Sequence, residues 1–131
     1  MGVDPKSLLG DLILMVMVDG KVKPSEIQLI QKLAERMKIS KTDVKKLLKD
    51  PKSGKPPFSE ADRITQFYKL MLVMQVDGET HASELDAIVH FGLKMGIRPV
   101  VAQQILKKMN QYENGIVPAD ELLKIFKIYY N

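Results

Sequence analysis

The chain has 131 residues, 45% hydrophobic and 27% charged, with a formal net charge of +4. That is the balance of an ordinary globular domain, long enough to bury a core without disulfides or a structural metal. The absence of cysteine excludes disulfide scaffolds, zinc–thiolate and iron–sulfur sites and thiol nucleophiles, and the longest apolar run, Leu12 to Val18, is far short of the roughly 20 residues that span a bilayer.

The opening residues, Met1 to Lys6, lack a basic-then-apolar signal. Lys6 stands where the myristoylation motif opened by Gly2 requires Ser or Thr. The expectation is a cytoplasmic protein with no transmembrane segment. A first helix is predicted from about Pro5 to Val18, with Asp4 as its cap and Pro5 at its first position. Its second half, Leu12 to Met17, is apolar on every side, as a fully surrounded helix would be. Gly20 is expected to close it in the left-handed conformation. A second helix starts at Pro24, with Ile27, Ile30, Leu33, Ala34 and Met37 as one buried stripe. A third starts at Ser40, with Asp43 completing an approximate capping box and Val44, Leu47 and Leu48 turned inward.

The stretch 50–57, with three prolines and a glycine, reads as a linker. Helix four follows from about Ser59 to Val76, helix five from Ala82 to Met95 and helix six from Pro99 to Met109. After the turn Glu113-Asn114-Gly115, a seventh from Pro118 to Tyr130 closes the domain. No alternating apolar run suggests a strand. The fold class expected is therefore all-α: about seven helices in a compact bundle.

A shift of 58 residues aligns the halves without a gap. Leu12 falls on Leu70, Val18-Asp19-Gly20 on Val76-Asp77-Gly78, Ser25-Glu26 on Ser83-Glu84, and Ile39 on Ile97, with ten identities over residues 12–39. Two copies of so long a period suggest a pseudo-two-fold domain and not a solenoid. Repeat one covers about 5–49 and repeat two about 58–110. The two all-round apolar helices, one and four, are expected to lie together at the centre.

Two motif readings compete at the repeat. Asp19-Gly20 with Val22 and Glu26 resembles the back half of a calcium-binding EF-hand loop, as does Asp77-Gly78 with Glu84; Asn114, Gly115, Val117 and Glu121 give a third echo. Calcium needs about six or seven oxygens, yet the early ligand positions hold Met15 and Met17, then Val73 and Gln75. Leu33 to Leu47 has the spacing of a DNA-reading helix-turn-helix, with Lys38 in the turn and Lys41, Thr42, Lys45 and Lys46 on the outer helix. Phe91 to Ile105 repeats that spacing with an outer helix beginning Arg98-Pro99-Val100-Val101, so packing explains the pattern in both halves.

An apolar helix ending in Asp-Gly, followed seven residues after the Asp by a Glu that opens an amphipathic helix, occurs twice here. This resembles the tellurite-resistance TerB-like family, which includes the N-terminal region of a membrane-anchored DnaJ-type co-chaperone. The resemblance runs from about Leu8 to Tyr130 and makes 1–131 a single TerB-like domain. It implies an all-helical bundle with internal pseudo-symmetry, acidic residues that bind divalent metal, and a role in stress response or membrane-linked assemblies. Where family members often carry a carboxylate or hydroxyl before the second helix, this chain has Lys23 and His81.

Two candidate sites follow. If the pseudo-two-fold brings the helix ends together, Asp19, Glu26, Asp77 and Glu84 would share one Ca²⁺ or Mg²⁺; Asp at a helix C-terminus opposes the dipole, so stability alone does not ask for it. Residues 1–57 also carry twelve Lys/Arg against seven Asp/Glu, with a lysine run that includes Lys41, Lys45 and Lys49. That face would attract nucleic acid or an acidic membrane surface. No Ser–His–Asp set, HExxH, GxGxxG or GxxxxGK[ST] occurs. His90 is placed to pair with Asp86 one turn back, and His81 reads as a loop residue. A non-enzymatic binding or scaffold module is expected, with a protein partner. The methionines are expected mainly in the core, and Phe126, Tyr129 and Tyr130 either on the bundle or at a homodimer contact.

Overall fold

The computed structural model describes residues 4–17, 22–50, 59–76 and 79–130. Within them lie seven α-helices: α1 (Pro5–Val16), α2 (Pro24–Arg36), α3 (Lys41–Lys49), α4 (Glu60–Val73), α5 (Ala82–Lys94), α6 (Pro99–Met109) and α7 (Ala119–Tyr130), with a 3-10 turn at Glu113–Gly115. No strand occurs among the described residues. The linker at 51–57 and both Asp-Gly turns lie outside them.

The helices start where local chemistry places them. Asp4 accepts from the Ser7 amide at 3.4 Å, and Ser40 from the Asp43 amide at 3.1 Å. Ser59 and Asp62 cap each other's backbone reciprocally, at 3.1 and 3.2 Å. Pro5, Pro24 and Pro99 open their helices, where a missing N–H costs nothing. α1 is surrounded as expected: α2, α3, α4 and α5 all pack on it, and α4 lies against α1, α2 and α7. Leu9, Leu12, Ile13 and Val16 of α1 join Ile64, Phe67, Leu70 and Met71 of α4 in one continuous core. Met15, Met71, Met74, Met95 and Met109 are core residues too. The α2 stripe is turned slightly from its expected position. Leu29 is buried and Ile27 and Met37 only half-buried, because Glu26 is itself drawn inward.

Three helices end in the same closing turn. Lys38, Gln75 and Gly96 are left-handed, with φ of 59°, 54° and 90°. The following amide then reaches back over the last turn: Ile39 to the Ala34 carbonyl at 2.8 Å, Val76 to Met71 at 3.0 Å, Ile97 to Gly92 at 2.7 Å. The motif is completed by an apolar contact between the residue after the turn and the helix. This explains a departure from the sequence reading, which carries the fourth helix to Val76. Val76 and Met71 are both buried, so the chain turns at Gln75, two residues before Asp77-Gly78. The first helix likewise stops short, at Val16 with Met17 as its cap.

A left-handed backbone costs an ordinary L-residue about 1 kcal/mol or more, partly offset by glycine's greater freedom when unfolded. Lys38→Gly is therefore expected to stabilise the protein by about 0.5 kcal/mol. A lower urea midpoint for the variant would contradict it.

The closing helix is tied down from two sides. The Tyr68 hydroxyl on α4 donates to the Gly115 carbonyl at 3.2 Å and accepts from the Val117 amide at 2.7 Å. The Arg98 guanidinium lies 5.1 Å from the Tyr130 ring centre and 5.9 Å from that of Tyr129, and donates to the Tyr129 carbonyl. Phe126 stacks on Tyr130 at 6.1 Å. The aromatic tail thus packs on the bundle.

Candidate functional site

The lysine face is built on α3. Val44 and Leu47 are buried against the core and Leu48 is half-buried, which fixes the rotation of the helix. At 100° per residue, Lys41, Lys45, Lys49 and Lys46 then fall outside the buried stripe, over an arc of about 140° that begins beside Leu48. All four are exposed, as are Thr42 and Lys38 in the preceding turn. Lysines four residues apart on a helix repel each other by a few tenths of a kcal/mol per pair, so the row works against the helix that carries it. Asp43 is half-buried and already engaged: its carboxylate is 3.1 Å from the Lys6 ammonium. That hydrogen bond and its charge, helped by Ser40 and Lys46, hold the Asp43 carboxyl below its usual value of 3.8. The pair's contribution is present above that usual value and is lost as pH falls through the lowered one. Among the described residues, Lys41, Lys45, Lys46 and Lys49 have no ion-pair partner.

The acidic candidates are not brought together among the described residues. Asp19 and Asp77 lie outside them. Glu26 is the one buried charged residue among those described. Its Oε1 accepts from the Lys23 amide at 2.8 Å and sits 3.5 Å from the Lys94 ammonium of α5. The two side chains are 11% and 19% exposed, so the charge is neutralised by a partner that is itself largely buried. Glu84, at the matching position of α5, is half-buried. There His81 is the cap instead: its Nδ1 accepts from the Ser83 amide at 3.4 Å. The same Glu therefore accepts from the N-cap amide in one half, while in the other the His81 ring caps the helix. A divalent cation at these residues would have to draw Glu26 from its cap and from Lys94. No group of three or more His, Asp or Glu able to hold a metal occurs among the described residues.

Three further polar side chains have defined partners. Glu121, in the third EF-hand echo, stands between Lys108 at 3.6 Å and Lys124 at 3.5 Å. His90 pairs with the backbone carbonyl of Asp86, at 2.8 Å, and not with its carboxylate; Nδ1 is thus the donor. Gln66 on α4 donates to Asp11 of α1 at 2.6 Å, a half-buried polar link between the two central helices that nothing in the local pattern marks.

No family model matches the chain, and no curated protein and no solved structure matches it significantly. The TerB-like resemblance accordingly rests on Val18-Asp19-Gly20 with Glu26 and on Val76-Asp77-Gly78 with Glu84.

Proposed function

We propose that the chain is a non-enzymatic, TerB-like binding module whose ligand surface is the lysine face of α3, and that its ligand is a polyanion. The observation that carries this is the exposure of Lys41, Lys45, Lys46 and Lys49 on a nine-residue helix, with the nearby Asp43 already paired to Lys6. Repulsion along the row is a cost to folding that a bound anion would remove. The TerB-like resemblance adds a stress-linked or membrane-linked setting, in which such a module would act as a scaffold.

Inorganic polyphosphate tests the reading without prejudging its source. The protein is expected to bind it at low salt, to lose affinity as salt rises, and to melt at a higher temperature when bound. Changing Lys41, Lys45 and Lys49 together to Gln is expected to weaken binding by more than about tenfold. All three side chains are exposed, so the fold should survive, and circular dichroism checks that. Unchanged affinity in the triple variant would end the proposal. A parallel titration with Ca²⁺ or Mg²⁺, followed by amide shifts at Gly20 and Gly78, tests the competing site at Asp19, Glu26, Asp77 and Glu84.

A further inference from the structure

We infer that the polyanion held by the α3 face is the phosphate backbone of double-stranded DNA, bound as one protein per site and without reading of bases. This rests on the polyanion reading above and goes further by choosing among phosphate-bearing surfaces.

The first argument is what the face lacks. An acidic membrane is held by a helix whose apolar residues sink beneath its lysines. On α3 the apolar residues Val44 and Leu47 are turned into the core. Among the described residues, the exposed large hydrophobic ones, Leu93, Val100, Ile116, Leu123 and Ile128, all lie beyond α4. Single strands are held by stacking on aromatic rings, and residues 1–57 contain no Phe, Tyr or Trp.

The second argument is shape. A flat headgroup surface meets cations on a narrow line along a helix. The lysines of α3 instead spread over about 140° of its circumference, with Lys41 and Lys46 at the two edges. Charges on both flanks suit a helix lying in a groove with a phosphate wall on either side. The B-form major groove is about 12 Å wide and admits one helix, whereas that of A-form RNA is too narrow for side chains to enter. α3 has nine residues, or roughly 13 Å at 1.5 Å each, so it fits within one such groove.

The third argument concerns specificity. Paired hydrogen bonds to base edges come from Arg or Lys on guanine and from Asn or Gln on adenine, with Ser or Thr on either. The outer side of α3 offers no Arg, Asn or Gln, and its lysines are the groups the phosphates engage, which leaves Thr42 alone for a base edge. The corresponding helix of the second half, α6, exposes Pro99, Val100, Gln103 and Lys107, so it provides no second basic face and no reason for a palindromic site.

The test measures fluorescence anisotropy of two unrelated duplexes of about 24 base pairs, one matching single strand and phosphatidylserine vesicles, between 50 and 200 mM salt. Both duplexes are expected to bind alike and more tightly than the strand or the vesicles. With about four or five phosphates engaged, log K should fall against log salt with a slope near −4. Lys41→Gln, Lys45→Gln and Lys49→Gln together should make that slope shallower by about 2.7. Lys124→Gln with Lys127→Gln, on α7, should leave it unchanged. Duplex binding no tighter than that of the strand or vesicles, or a slope unmoved by the triple change, overturns the inference. If polyphosphate still binds through the same lysines, the broader reading stands and only the choice of DNA fails.

Discussion

Gly92→Ala is expected to destabilise the protein by about 1–3 kcal/mol, although the same change in an open helix would stabilise it by about 1 kcal/mol. Gly92 lies inside α5 and is buried. A Cβ added there would sit 2.6 Å from Phe67 Cε1 and 2.9 Å from Cζ. The Phe67 ring is fully buried and has no solvent side to swing toward. The clash outweighs the gain in helix propensity because close-packed cores yield little. Phe67→Leu in the same chain should recover part of the loss, and the double-mutant cycle should show a coupling of about 1 kcal/mol or more. Urea denaturation checks both, and a Gly92→Ala variant as stable as the parent would show that the helices separate at this crossing.

Tyr68→Phe is expected to cost about 1–3 kcal/mol, the penalty for leaving a buried backbone donor without a partner. The hydroxyl serves the Gly115 carbonyl and the Val117 amide together, and Val117 is itself buried. Losing it leaves the ring in place and its packing intact, so the effect isolates the two hydrogen bonds. The Val117 amide should exchange with solvent markedly faster in the variant, while polyphosphate affinity at α3 stays as it was. Unaltered exchange at Val117 would mean that another group, or water, takes over the bond.

The helices were legible because their signals are local. Caps at Asp4, Ser40 and Ser59, and prolines at first positions, act within one turn, and the apolar spacing of each segment names its inner face. What escaped the sequence reading acts over distance. The turn at Gln75 is set by the burial of Val76, not by the Asp-Gly dipeptide that follows it. The Glu26–Lys94 pair joins residues of different halves, and nothing near Glu26 announces a lysine of α5. Tyr68 reads locally as one more core aromatic, and its hydroxyl finds partners only once the 3-10 turn is folded against α4. The contact of Gly92 with Phe67 likewise joins two helices and has no local signature. The candidate sites divide in the same way. Exposure of Lys41, Lys45 and Lys49 follows from helical spacing around Val44 and Leu47. The pairing of Asp43 with Lys6, which leaves that carboxylate only partly available to Lys46, needed the tertiary contact between α1 and α3.

A nine-residue helix crowded with like charges, held chiefly through Val44 and Leu47, is the kind of segment that detaches before the rest of a bundle unfolds. Its docking equilibrium and its occupancy are then coupled by mass action. Counter-charge would draw α3 onto α1 and α2 as well as fill its outer side, so ordering of this corner would report, from within the molecule, whether the surface is occupied.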